Sequence, residues 1–276
     1  MLGSLVVVYP TSHQGGELVL HHKNREWMFD ANDLTSSQSS PSLAYIAFYS
    51  DIEHEVLKVT SGQRVTLTYN LYLFDPMSRP KTSTLTPNLK NVSNLQTTLQ
   101  GLLKSPDFLP NGGTLGFGLA HLYPVTFETK LQEMAGYLKG EDAHVYQACL
   151  ELQLQPSLRV IYDDDQSGQG YGIMLEQITK DPSYDYTEDS YERALLRDPG
   201  GILVNKTEDT DPSESYWACS DDEPEIGGEL ITWISPFNEK NRLQDISMGY
   251  GNEVEAGYIY SSPCLIARIA AASDRV

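Results

Sequence analysis

Residues Tyr45–Leu73, YIAFYSDIEHEVLKVTSGQRVTLTYNLYL, alternate apolar and polar side chains through most of their length. A period of two marks a half-buried strand, because successive side chains leave opposite faces of a sheet. Such strands cannot bury one face alone, so the stretch commits its surroundings to a sheet with a second layer. It also carries His54, with Arg64 ten positions later and Thr66 two beyond that. The residues Thr60-Ser61-Gly62-Gln63 read as a turn between them. That predicts two strands which, if paired, aim an imidazole and a guanidinium at one cavity. An arginine inside an apolar strand needs an anion to meet it, either an internal carboxylate or a small dicarboxylate held by the planar guanidinium fork. His54, flanked by Glu53 and Glu55, is the candidate metal ligand.

The neighbouring segments repeat the pattern. SLVVVYP reads as a strand ended by Pro10, and the residues His13-Gln14-Gly15-Gly16 as a turn into ELVLHH. Lys23-Asn24 then turns into REWMFDA, and the Ser-rich LTSSQSSPS loops across to YIAFYS. Short strands at regular spacing with almost no helix predict a jelly-roll-like sandwich or barrel over residues 1–75. A linker rich in Pro, Ser, Thr and Lys is expected over 76–92. Residues 93–276 read as an acidic, mixed α/β region. Helices are expected at Ser93–Leu103 from Leu95, Leu99 and Leu102 or Leu103, and at Glu128–Leu138 and Glu141–Leu152, with Lys139-Gly140 as a helix stop between the last two. A short helix at Tyr191–Arg197 and strands at LRVIY, Ile202, ELITWIS and YIYSSPCLIARIA complete the reading. The overall class is mainly β with α. GGEL opens a strand at Gly15 and again at Gly227, which allows a degenerate second barrel, although Gly-Gly turns before strands are common.

Charge and cysteine content narrow the function. The chain has 38 acidic against 19 basic residues and a net charge of -19, which argues against binding a phosphate backbone. The run Leu5–Tyr9 is too short to span a bilayer and no basic segment precedes it as in a signal peptide, so an intracellular protein, cytoplasmic or nuclear, is expected. The Asn-x-Ser/Thr triplets at Asn91 and Asn205 then read as chance matches. Cys149, Cys219 and Cys264 have no metal-type spacing and read as reduced, packed thiols. The acid runs at Asp163 and Asp221 read as solvated loops without calcium-loop spacing. His121 reads as a packed or capping residue, and His13, Glu17, His21 and His22 as polar residues near a turn rather than substitute ligands.

The pattern HEVLKVTSGQRVTLTYNLYL, preceded by LGSLVVVYP, HQGGELVLHH and REWMFDA, resembles the iron(II)- and 2-oxoglutarate-dependent dioxygenases, in particular the prolyl 4-hydroxylase-like fungal members. The similarity covers residues 2–73 most strongly. NGGTLGFGLAHLYPV and YGNEVEAGYIYSSPCLIARI resemble the C-terminal extension of such proteins less specifically. The resemblance implies a double-stranded β-helix in which His54 is the second iron-binding histidine, Arg64 holds the distal carboxylate of 2-oxoglutarate and Thr66 is its hydroxyl partner. It implies iron(II) and 2-oxoglutarate, with ascorbate as an accessory reductant, and oxidation of a C–H bond of a protein or small-molecule substrate. The family's other two iron ligands come from a His-x-Asp motif upstream of the strand equivalent to SLVVVYP. No His-x-Asp or His-x-Glu occurs in this sequence. The expectation is therefore a dioxygenase domain without its N-terminal strands, impaired as it stands, with unpaired strand edges. The alternative is a non-catalytic jelly-roll interaction module that binds through its acidic C-terminal half. The oligomeric state is not set by the sequence.

Overall fold

The segments read as strands at the start of the chain do become strands; Leu18–His22 and Arg25–Phe29 pair with each other as read, while most other partners are far away in sequence. The computed structural model describes residues 2–22, 24–36, 42–72, 89–164, 170–179, 191–197, 200–207, 209–214, 228–238, 241–250 and 254–275. The fold is mixed α/β and strand-rich, and it divides into two compact units, Met1–Thr82 and Ser83–Val276. Of the expected linker, residues 76–88 lie outside the described residues.

The first unit runs β1 (Gly3–Val8), β2 (His13–Gly15), β3 (Leu18–His22), β4 (Arg25–Phe29), α1 (Ala31–Ser36), β5 (Ala44–Tyr49), β6 (Glu53–Val56), β7 (Val59–Gly62) and β8 (Thr66–Leu71). It forms two three-stranded sheets, β5-β1-β8 and β4-β3-β6, and the pair β2-β7. All pairings are antiparallel and they nest: β1 with β8, β2 with β7, β3 with β6. The period of two shows in β1, where Val6 and Val8 are buried with Ala44 and Ala31 against Phe29, Ile46 and Phe48. Asp30 accepts hydrogen bonds from the N–H groups of Asn32 (2.9 Å) and Asp33 (3.1 Å), the cap that starts α1 where a loop was expected.

Two expected turns are strands. His13–Gly15 is β2, and Val59–Gly62 is β7, its partner. Gly62 serves close approach instead of chain reversal: a Cβ there would lie 2.1 Å from the Ser12 carbonyl oxygen. In consequence Arg64 falls after β7 and outside any strand, and β6 and β8 belong to different sheets rather than to one hairpin.

The second unit contains α2 (Leu89–Leu103), β9 (Gly113–Gly118), α3 (Leu131–Met134), α4 (Gly140–Glu151), β10 (Ser157–Asp164), β11 (Tyr171–Leu175), α5 (Tyr191–Arg197), β12 (Ile202–Asn205), β13 (Gly228–Glu229), β14 (Ile231–Ser235), β15 (Leu243–Tyr250) and β16 (Val254–Ile269). Of the leucines that predict α2, Leu99 is buried and Leu95 and Leu103 pack on the same core, whereas Leu102 faces solvent. Gly140, expected as a helix stop, is instead the first residue of α4, and the helix expected from Glu128 shortens to α3 plus one 3-10 turn, Ala135–Tyr137. The sheet runs β13-β12-β11-β10-β16-β9-β14, with β15 alongside β16. Its two end strands, β13 and β14, are separated in the chain by Leu230 alone, so the sheet nearly closes on itself.

One face of this sheet carries Leu115, Phe117, Leu158, Val160, Ile173 and Leu265, buried with helix residues including Leu131, Met134 and Leu195. The opposite face is the barrel interior, filled by Ile161, Met174, Val204, Ile231, Cys264 and Ile266 with Trp233 and Phe237. Gly116 makes room for it, since a Cβ there would lie 2.4 Å from the Trp233 ring. Asn205 completes the closure. Its side chain is buried; Oδ1 accepts the Ile231 N–H at 2.6 Å and Nδ2 donates to the Ile231 carbonyl at 2.9 Å, as a strand backbone would.

Candidate functional site

In the first unit, β6 places His54 opposite Leu20, and directly opposed residues share a face. That face includes buried Leu18 and Leu20, whereas His54 at its margin is itself exposed. There it meets Phe48 of β5, ring centroids 4.7 Å apart and tilted by 54°. The His54 Nδ1–H donates to the Ile52 carbonyl at 3.1 Å, which leaves the Nε2 lone pair available to a ligand. Glu53 and Glu55, its neighbours in sequence, lie on the other face. Glu55 stands 3.7 Å from His21, which is also 3.5 Å from Glu26. The flanking carboxylates therefore cannot join His54 on a metal. Among the described residues no group of three His, Cys, Asp or Glu side chains could hold a metal ion. A histidine and two further ligands are the least that iron(II) of this kind needs, and the residues present do not fit it.

Arg64 sits between β7 and β8 with its stem laid across Gly16. A Cβ on Gly16 would lie 2.7 Å from Arg64 Cδ and 2.9 Å from Val59 Cγ2, and the backbone there has φ +79°. Only glycine accepts both the close approach and that conformation. Arg64 Nε is buried without a hydrogen-bond partner, and burial lowers the guanidinium pKa, although an arginine remains cationic throughout the physiological range. An unmet buried donor costs about 1–3 kcal/mol. Thr66 opens β8 opposite buried Val8, in the row that continues to Ala44. Thr68 and Asn70 follow on the same face, in the rows of Val6 and Ser4, and are exposed. His54 touches the Ser4–Phe48 row and Thr66 the Val8–Ala44 row, four residues or about 13 Å along the strands. The structure thus places exposed His54 and half-buried Thr66 in separate rows and does not bring them together.

Elsewhere, several sequence readings change. Asp163 is no solvated loop residue: its side chain is 6% exposed, accepts an ion pair from Lys206 and another from Arg242 at 2.9 Å, and Arg242 stacks on Tyr260 at 3.9 Å. Asp221 and Cys219 lie outside the described residues. His121 is packed, as read, but an acid does stand beside it: buried Asp142 accepts the N–H groups of Ala120 (2.8 Å) and His121 (3.1 Å) and the Tyr123 hydroxyl (2.8 Å). Its position in the first turn of α4 was the available signal. A cleft of about 380 Å³ at one barrel end is lined by Arg159, Glu176 and Arg268, but its cations are already engaged, Arg159 by Glu176 at 2.8 Å and Arg268 by Glu229 at 3.1 Å. Both cations of that cleft are thus already neutralised. No helix among the described residues is long and apolar enough to cross a membrane. No family model, no curated protein and no solved structure matches the chain.

Proposed function

We propose that the first unit is a double-stranded β-helix of the iron(II)/2-oxoglutarate dioxygenase type, prolyl 4-hydroxylase-like, and that its described residues form the cosubstrate side of such a site. Arg64 is the carboxylate clamp, Thr66 its hydroxyl partner and His54 a single metal-competent imidazole. The nested pairing β1–β8, β2–β7 and β3–β6 carries this reading, since a long hairpin rolled up on itself is how a jelly roll forms its two sheets. The unmet Arg64 Nε supports it. A family oxygenase would oxidise a C–H bond of a peptidyl or small-molecule substrate with iron(II), 2-oxoglutarate and ascorbate. The described residues supply no complete iron set, so this chain alone binds the dicarboxylate and does not turn it over.

A second reading is the non-catalytic interaction module. The sequence assigns its binding to the acidic C-terminal half; the exposed apolar side chains that favour such a module lie instead on the outer face of the β5-β1-β8 sheet, where Tyr45 is 71% exposed, Tyr69 51% and Leu67 44%. Calorimetric titration with 2-oxoglutarate separates the two. The dioxygenase-type reading expects binding without added metal, weakened roughly ten- to a hundredfold by Arg64→Ala because a charge-assisted contact is lost. It also expects iron-dependent release of succinate only from a chain extended upstream to include a His-x-Asp segment. If neither form binds iron or 2-oxoglutarate, the interaction module stands and the oxygenase reading fails.

A further inference from the structure

The open edge of β8 differs from the other outer edges of the two three-stranded sheets described in the first unit. The residues Thr66-Leu67-Thr68-Tyr69-Asn70-Leu71 include no charge, no proline and no glycine, and no described strand lies on the side away from β1. Natural proteins protect such an edge with charges, bulges or cover. The edge of β6 has Glu53 and Glu55, that of β4 has Arg25 and Glu26, and α1 packs beside β5, with Ala31 against Ala44. Among the described residues none of these devices is present at β8.

The backbone of that edge is set by its register. Tyr9 N–H donates to the Val65 carbonyl at 3.0 Å, and the antiparallel register continues as Val7↔Leu67 and Leu5↔Tyr69. Alternation then turns the polar backbone groups of Leu67 and Tyr69 towards β1 and those of Thr66, Thr68 and Asn70 outward. We infer that this edge pairs with β8 of a second copy of the chain, antiparallel, about a two-fold axis through Thr68. In that register Thr68 faces Thr68, and Thr66 faces Asn70 in both directions, so every outward N–H and C=O of these residues finds its mate. On the outer face Leu67 falls opposite Tyr69 twice, in the close non-hydrogen-bonded positions where an aliphatic–aromatic pair gains most. Both side chains are half exposed in the single chain, 44% and 51%. Two three-stranded sheets become one.

A second copy is the occupant because the strand is its own complement in charge and side-chain type. In a chain of net charge -19, self-association meets general repulsion, and β8 is a place where two copies meet without any like charge. The same operation on β6 would set Glu53 against Glu55. The pairing does not depend on ligand binding and stands apart from the oxygenase reading.

Sedimentation equilibrium of the full chain tests it. The wild type is expected to be a concentration-dependent dimer. Leu67→Lys with Tyr69→Lys places lysines opposite each other twice and dissociates it, whereas Leu67→Lys with Tyr69→Glu places lysine opposite glutamate twice and keeps it, with dimer affinities separated by about tenfold. Circular dichroism checks that both variants are folded. A wild type that stays monomeric, as it would if another segment or another protein were the true neighbour of β8, overturns the inference. So does a dimer that treats the two double variants alike.

Discussion

Replacing Asn205 with alanine probes what closes the barrel of the second unit. The side chain is 1% exposed and makes three hydrogen bonds: Oδ1 to the Ile231 N–H, and Nδ2 to the carbonyls of Ile231 and Thr207, the latter at 2.9 Å. The Ile231 groups are buried between strands that are not themselves paired, so truncation leaves a donor and an acceptor without a partner. Each such group costs about 1–3 kcal/mol. Partial relaxation of the gap puts the expected loss near 3 kcal/mol, a large part of a typical domain's stability of about 5–15 kcal/mol. Asn205→Asp keeps the acceptor for Ile231 N–H but turns the donor into an oxygen facing two carbonyls, and should cost at least as much. Urea unfolding followed by far-ultraviolet circular dichroism gives the stability, and hydrogen exchange gives the local readout, with the Ile231 amide protected in the wild type and fast in Asn205→Ala. A loss below about 1 kcal/mol with Ile231 still protected would refute the clamp, since protection would then come from another partner.

Gly116→Ala drives a methyl group into the Trp233 ring and is expected to destabilise the second unit by about 1–3 kcal/mol, seen as a lower urea midpoint; a neutral result would mean that the interior is not filled. Burial pushes the thiol of Cys149 up to about 11 and that of Cys264 up to about 12, so in a Cys219→Ser background no native thiol should react with a disulfide reagent until denaturant is added. Burial also raises the Asp142 carboxyl above the ordinary carboxylate range, against the opposing pull of the backbone N–H groups and the Tyr123 hydroxyl. A raised folded pKa means that the folded chain holds this proton more tightly than the unfolded one. Its penalty is therefore full above the folded pKa and relieved as pH falls through it. The stability of the wild type relative to Asp142→Asn should rise as pH is lowered from neutral into the carboxylate range, and a difference independent of pH refutes the assignment.

The strands of the first unit were legible as a short apolar run ended by proline in Ser4–Val8 and as alternation in Thr66–Leu71. What the sequence could not show was partnership. β6 and β8 are close in the chain and look like a hairpin, yet each pairs with a strand more than thirty residues away, Leu20 with His54 and Val8 with Thr66. Glycine misled in the same direction. Gly15, Gly16 and Gly62 suggest turns by type, but here they let backbones and the Arg64 stem approach closely, which only three-dimensional context reveals. His54 and Arg64 were found because an imidazole and a guanidinium are conspicuous in an apolar run. Asp163 was missed because a run of acids reads as solvated until Lys206 and Arg242, 43 and 79 residues away, are seen against it. Asn205 was noticed only as a glycosylation triplet, since nothing local says that an amide will stand in for a strand.

The central proposal is that Arg64 is a ready carboxylate clamp, with its Nε buried and unpartnered. Nuclear magnetic resonance of the arginine Nε–H groups, with 2-oxoglutarate titrated in without metal, tests it most directly. The Arg64 resonance, assigned by its loss in Arg64→Lys, should shift and become protected from exchange as the ligand saturates, while Arg159 and Arg268, already ion-paired, stay in place. An Arg64 resonance unmoved at saturating 2-oxoglutarate would contradict the account.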